Sequence, residues 1–287
     1  MRTRAVIILG ALALLMAGCS APPWQPLATQ TTPADPPAGT GAASRQGEDL
    51  VERDALPAGH CGQAPAEFES KVYQGTPGTE CAEAIRALEA MAQGRDDDSL
   101  HVEGHGTDVL GWSCLFPMDT EITDYSLTIV CEKAGQKFFV RPASVDVPAG
   151  YHVAPWDYLG NGMGSGGDVY FTTETRKHQC GFIEDRVGCD NHSFPDDLPT
   201  VDYMGAQQQP TAIELADSGP ARFTAYGDPV YSLLSDTGEW GAETEVLGYG
   251  QILIVRGITC TTDEERGVVC TNGGHGFEIS SSDYALH

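Results

Sequence analysis

Apolar positions change their rhythm along this chain, and each rhythm predicts a different element. Ala5 to Met16 is an almost unbroken apolar run, interrupted only by Gly10. Residues 19–58 show almost no periodicity and are rich in Pro, Ala, Thr, Gly and Gln, the pattern of a disordered tether. Cys81, Ala84, Ile85, Leu88, Met91 and Ala92 then fall on one stripe at helical spacing. They predict a helix from Glu80 to Gln93, capped by Thr79 and ended by Gly94. Strand-like runs follow at Val109–Phe116, Tyr125–Glu132 and Lys137–Arg141. In the middle run Leu127, Ile129 and Cys131 alternate with polar or smaller neighbours, so one face can cover the helix stripe. Residues 59–143 therefore read as a small α+β domain, one helix on an antiparallel sheet.

Residues 144–167 are Pro- and Gly-rich and read as an interdomain linker holding a few aromatics, Tyr151, Trp156 and Tyr158. Residues 168–287 read as an all-β domain. Short strands are expected at Asp168–Thr173, Gln179–Ile183, Arg186–Asp190, Ala212–Ala216, Ala221–Ala225, Gln251–Thr259, Gly267–Thr271, Gly276–Ser280 and Tyr284–Leu286. Gly, Pro, Asn and Asp punctuate them, as in a small sandwich or barrel-like sheet.

Residues 1–18 have the parts of an export signal: Arg2 and Arg4, the apolar run, then Ala17-Gly18 before Cys19. The run is about 12 residues, short of the roughly 20 needed to span a bilayer. Leu-Met-Ala-Gly-Cys resembles the bacterial lipobox, with Met16 where that pattern usually has Leu. The resemblance implies cleavage before Cys19 and a diacylglycerol on its thiol. Two acyl chains suffice for stable anchoring, whereas one binds only marginally. The expected location is the extracytoplasmic face of the cell membrane, with the tether reaching roughly 35 Å.

Removing Arg2 and Arg4 with the signal leaves 14 basic against 41 acidic residues, a formal charge of −27. Such a surface repels phosphate backbones, which argues against a nucleic-acid partner. It also repels anionic headgroups, so the membrane partnership rests on the lipid alone.

Nine cysteines less Cys19 leave an even eight, the mark of a disulfide framework in an exported protein. Eight cysteines allow 105 pairings in principle. Local structure favours some of them. Cys180 and Cys189 flank a polar turn between short apolar runs, and Cys260 and Cys270 do the same. Residues opposed across antiparallel strands bring Cβ atoms to the separation a disulfide needs. Cys114–Cys131 would join two strands, and Cys61–Cys81 would tie the domain's start to its helix. Each bridge would contribute about 3 kcal/mol on a chain-entropy basis. No Cys-x-x-Cys pair is present, so no metal is expected.

The second half also carries a longer pattern. It runs Phe171-Thr172-Thr173, Cys180…Arg186-Val187-Gly188-Cys189, Gly227-Asp228, Leu247-Gly248-Tyr249-Gly250, Cys260…Gly267-Val268-Val269-Cys270-Thr271-Asn272, Gly274-His275-Gly276-Phe277-Glu278-Ile279-Ser280 and Tyr284-Ala285-Leu286. This resembles an uncharacterised secreted, disulfide-containing domain family of actinobacteria. The chain departs from the pattern at Val187-Gly188, which stand in reverse order. Cys61-Gly62, Cys81-Ala82-Glu83-Ala84, Trp112-Ser113-Cys114 and Cys131 resemble small modules in lipoproteins of the same bacteria. The resemblance implies an envelope protein of a mycolate-type actinobacterium and implies no activity.

Candidate chemistry is sparse. His275, between glycines, is a candidate ligand contact or proton carrier, set against a structural reading as a turn residue. The structural reading is preferred, because no base or nucleophile partner can be named nearby. His101 and His105 bracket Glu103, but the Glu is misplaced for a His-Glu-x-x-His zinc helix and Gly104 and Gly106 oppose a helix. Gly162, Gly164 and Gly166 lack the strand and helix a phosphate cradle needs, and Ser165 lacks the glycine spacing of a nucleophile elbow. Trp112 reads as core packing over a disulfide. No catalytic residue and no cofactor are assigned. The leading expectation is a non-catalytic envelope module that binds a protein or cell-wall component. The alternatives are a hydrolase whose carboxylates converge only in the fold, and a structural surface coat.

Overall fold

The structure, a computed structural model, describes residues 56–94, 106–160 and 167–287. The signal, Cys19, most of the tether, His101, Glu103, His105 and the run Gly162 to Gly166 with Ser165 lie outside the described residues.

Six strands form the first antiparallel sheet, in the order β1-β2-β6-β5-β4-β3. They are β1 (His60–Gln63), β2 (Ser70–Gln74), β3 (Gly106–Val109), β4 (Trp112–Leu115), β5 (Ile129–Lys133) and β6 (Gln136–Pro142). Helix α1 (Cys81–Gln93) covers one face. Its buried Ala84, Ala87, Leu88 and Met91 pack with Val72, Ile129, Phe138 and Val140, and with Trp112, whose ring meets Phe138 edge-on at 4.8 Å. Thr79 does not cap this helix. The N-cap is Glu80 with no side-chain bond, while the Thr79 hydroxyl donates to the Lys137 carbonyl at 3.0 Å. The position serves a turn-to-strand contact instead. Leu127 and Val130 pack on the other side of the sheet, with Phe139 and Ala154, so only Ile129 and Cys131 of that run face the helix.

Two of the expected strands are subdivided. Val109–Phe116 is a hairpin, because Leu110 and Gly111 both take positive φ between β3 and β4. Tyr125 is the last residue of helix α2 (Asp119–Tyr125), whose Glu121 side chain accepts the Met118 backbone N–H at 2.8 Å. Ser126 in the left-handed region stops this helix before β5 begins.

The rest of the chain adds β7 (Tyr151–His152), β8 (Val169–Thr172), β9 (Gln179–Ile183), β10 (Arg186–Asp190), β11 (Val201–Tyr203), β12 (Ala206–Gln208), β13 (Ala212–Ala216), β14 (Arg222–Thr224), β15 (Gln251–Val255), β16 (Ile258–Asp263), β17 (Gly267–Asn272), β18 (His275–Ile279) and β19 (Tyr284–Leu286). A five-stranded sheet, β14-β13-β10-β9-β8, faces a six-stranded one, β19-β18-β17-β16-β15-β7. Phe171, Phe182, Val187, Ile213 and Leu215 of the former share one core with Leu253, Val255, Val268, Phe277 and Ile279 of the latter. The expected run Gln251–Thr259 is two strands, since Arg256 and Gly257 both take positive φ and make a hairpin turn.

Residues 144–160, within the expected linker, carry regular structure. β7 pairs in parallel with β15, and a 3-10 turn, Pro155–Tyr158, follows with Pro155 and Tyr158 buried. Strand β15 is consequently buried on both faces. Leu253 and Val255 enter the sandwich core, and Ile252 and Ile254 pack on Tyr73 and Val147. An all-apolar strand suits such a position. Gly150 secures the junction: its N–H donates to the Ala58 carbonyl at 2.8 Å, and a Cβ there would lie 2.6 Å from the Gly250 carbonyl oxygen. By contacts between Cα atoms the described residues fall in one compact unit.

Candidate functional site

Alternation along β6 decides where its one arginine goes. Phe138 and Val140 face helix α1, so Lys137, Phe139 and Arg141 face the opposite way. On that side lies β7, where the register His152↔Ile252 sets His152 between the sheets. Arg141 and His152 are both fully buried. The Arg141 Nε–H donates to His152 Nδ1 at 2.8 Å, and Nη1 donates to the carbonyls of Tyr125 at 2.7 Å and Ser126 at 3.2 Å. Tyr73, the β2 partner of Phe139, lies over the imidazole with ring centroids 4.5 Å apart.

This arrangement is electrostatically unusual. No carboxylate is among Arg141's hydrogen-bond partners, and buried charges are ordinarily paired. Burial lowers the guanidinium to about 9, only partly opposed by the Tyr73 hydroxyl. Burial, then the charges of Arg141 and His60, hold the His152 imidazole well below the usual histidine range. An arginine N–H can only donate, so Nδ1 must accept and the ring proton sits on Nε2. That Nε2 and Arg141 Nη2 are both buried without a protein partner among the described residues.

His152 forms part of a cleft of about 210 Å³. Phe139, Val153, Ala154 and Tyr158 supply apolar wall. Lys137, Asp157, Glu245 and Gln251 supply polar groups. Asp157, Tyr158 and Glu245 also border an adjoining recess of about 70 Å³, whose far side is Tyr170, Glu243 and Thr244. Thr244 is buried and its hydroxyl, too, lacks a protein partner among the described residues. The Tyr158 hydroxyl donates to the Val246 carbonyl at 3.2 Å, and burial followed by Asp157 and Glu245 raises its pKa. Lys137 Nζ stands 3.7 Å from both Glu132 and Asp157. Asp157 and Glu245 are exposed at the mouth, whereas His152 is sealed at the floor.

Two other polar clusters bind the molecule to itself. Asp190 accepts the Val230 and Tyr231 N–H groups and the Ser232 hydroxyl, and that hydroxyl is 3.1 Å from His192 Nε2. Serine here stands between acid and imidazole, whereas a nucleophilic triad needs the imidazole in the middle. The string pins the 230–232 loop onto β10. Glu214, also buried, accepts from Tyr226, Tyr231 and two nitrogens of Arg222. Burial would raise its pKa, but these bonds and the Arg222 charge outweigh it and hold the carboxyl low.

The residues singled out from sequence lie elsewhere. Cys61 is bonded to Cys81, Cys114 to Cys131, Cys180 to Cys189 and Cys260 to Cys270. The last three bridges join residues directly opposed in register. His275 is exposed at the start of β18, opposite Asn272, and does not line the cleft. Asn272 Nδ2 donates to the Ala216 and Asp217 carbonyls, which ties that turn to the end of β13. Among the described residues no group of three His, Cys, Asp or Glu side chains could hold a metal ion. Arg141, His152 and Thr244 went unremarked in the sequence. The one signal available was an arginine directly after the apolar run Phe138-Phe139-Val140, on a strand otherwise made for burial.

Comparison with protein-family models, with curated proteins and with solved structures gives no match for this chain. The cleft's own chemistry is therefore what bears on function.

Proposed function

We propose that this protein is a lipoprotein of the outer face of the cell membrane, anchored through Cys19, and that it serves as a non-catalytic binding module of an actinobacterial-type envelope. Its ligand, a small molecule or the end of an envelope component, enters the cleft floored by His152. Four disulfides suit an oxidising compartment. Among the described residues no helix is long and apolar enough to cross a membrane.

The observation that carries the binding reading is the Arg141 Nε–H on His152 Nδ1. It leaves the ring proton on the buried Nε2 and, with burial, denies the imidazole the proton affinity of a general base. Such a group does not remove a proton.

Two experiments test this. Cys19→Ala should move the protein from the membrane fraction to the medium; retention in the membrane would end the lipoprotein reading. Glu245→Trp, at the exposed mouth, should abolish co-purification of envelope material with the full-length lipidated protein. Undiminished co-purification would remove the cleft from the account and favour a surface coat. Because Asp157 and Glu245 both line the cleft, the same preparations should be assayed for turnover of envelope material. Turnover that the tryptophan abolishes would make the protein a hydrolase.

A further inference from the structure

The outer face of the second sheet carries a groove that shares no lining residue with the His152 cleft. Ile258, Cys260, Val268 and Cys270 enter the sandwich core, so alternation turns Thr259, Thr261, Val269 and Thr271 outward. Thr259 stands opposite Thr271, and Thr261 opposite Val269. Ser144, Val145, Asp146, Pro148 and Ala149 form the wall beside this floor. Val147 holds that wall down by packing with Tyr73, Ile252 and Ile254. Two recesses, of about 550 and 460 Å³, open along the floor and share Pro148, Thr259 and Thr271, so they make one elongated site.

This groove offers free hydroxyls and little free charge. The hydroxyls of Thr259, Thr261 and Thr271 have no protein hydrogen-bond partner among the described residues. Thr262, one place along and facing inward, instead donates to the Leu247 carbonyl at 2.8 Å. Asp263 accepts the Glu265 and Arg266 N–H groups, both at 2.9 Å, and Arg266 lies 3.5 Å from Asp263 and 3.7 Å from Glu278. An anion therefore meets no unpaired cation here. A cation meets only Asp146 and Glu264, which are exposed and line different recesses. A peptide has no sheet edge to extend, because β16 and β17 are each paired on both sides. A hydrocarbon chain would strip water from the hydroxyls and return no hydrogen bond.

We infer that this groove binds an uncharged glycan, long enough to span both recesses. Its hydroxyls exchange hydrogen bonds with Thr259, Thr261 and Thr271, each of which can donate and accept. Either recess falls within the roughly 300–1,000 Å³ of small-ligand sites. The wall is already fixed by packing, so binding has less to order. The site is separate from the His152 cleft and does not rest on it.

The test uses the full-length lipidated protein in micelles of a detergent with no sugar headgroup. The probe is an array of glycans from monosaccharides to long oligomers, uncharged members beside uronate and sulfated ones, with calorimetry on those that bind. Uncharged oligomers should bind, charged ones should not, and affinity should rise with length beyond a single sugar. Thr261→Val and Thr271→Val keep the β-branched shape and remove one hydroxyl each. Each should weaken the binding by about two- to tenfold, the scale of one net hydrogen bond. Thr261 is half-buried and Thr271 exposed, so both variants should keep the wild-type urea midpoint. Glu245→Trp, in the cleft, should leave glycan affinity unchanged. Binding to charged members alone, to none, or undiminished in both valine variants would overturn the glycan groove. So would a monosaccharide that binds as tightly as its oligomers. Glycan binding lost in Glu245→Trp would assign the glycan to the cleft and not to this face. If no array member binds while Glu245→Trp still abolishes envelope co-purification, the groove falls and the cleft reading stands.

Discussion

Gly188→Ala is a small change that the structure makes costly. Gly188 faces Gly181 across β9 and β10, beside the Cys180–Cys189 bridge. The bare face of Gly188 leaves a bay that the ring of Tyr231 fills, while Gly181 lies against the ring of Tyr170. A Cβ on Gly188 would lie 2.4 Å from Cε2 and Cζ of that ring and 2.7 Å from the Ile213 carbonyl oxygen. The ring cannot simply withdraw. Tyr231 is fully buried, its hydroxyl donates to Glu214 at 2.7 Å, and its backbone N–H donates to Asp190 at 2.9 Å. Overpacking of this kind costs about 1–3 kcal/mol. Loss of the hydrogen bond to the charged Glu214 would add about 1.5–3 kcal/mol. Reduced freedom of the unfolded chain returns only about 0.4–1 kcal/mol. The net expectation is about 2–5 kcal/mol, which lowers Tm by roughly 4–20 °C for a chain of this size. Urea unfolding of the oxidised protein measures it, with an unchanged slope and a lower midpoint. The same substitution in a Tyr231→Ala background should cost at least about 1 kcal/mol less, because the clash with the ring is gone. A single-variant cost below about 0.5 kcal/mol, or costs that simply add, would refute the reasoning.

Acid should destabilise the fold through its buried imidazoles. His178 is buried, and burial, then the charges of Lys177 and His192, lowers its pKa to about 4; burial, then Arg141 and His60, lowers His152 in the same direction. Unfolded, both take protons near pH 6.5, so stability is full above that pH and is lost as pH falls toward 4. His178 alone accounts for about 3 kcal/mol across that window. Asp190 and Asp168, whose pKa values burial raises, oppose the loss. Urea midpoints at several pH values between 7 and 4.5 check this, and a flat profile would contradict the burial of both imidazoles. Replacing Cys180 and Cys189 together with alanine should cost about 3 kcal/mol in urea, since the nine-residue separation closes a short loop. A cost near zero would mean the bridge does not constrain the unfolded chain.

Much of the secondary structure is legible in the chain because it depends on neighbours. The helical stripe through Ala84, Leu88 and Met91, and the short strands bounded by glycine and aspartate, need only local periodicity and turn chemistry. Cys180 and Cys260 stand opposite Cys189 and Cys270 for the same reason: a two-stranded ribbon with a tight turn leaves little choice of register. The charge of the chain is likewise a property of sequence alone. What tertiary structure decided is where residues far apart meet. The segment 144–160 is short of periodicity and reads as a linker, yet its backbone pairs with β15, some 100 residues later. Tyr125 has the composition of a strand residue but belongs to a helix, because Glu121 and Ser126 set that helix's ends. Arg141 and His152 carry no motif. Burial makes them chemically distinctive, and burial is a sum over β2, β6, β7 and β15, which no local window of the sequence contains.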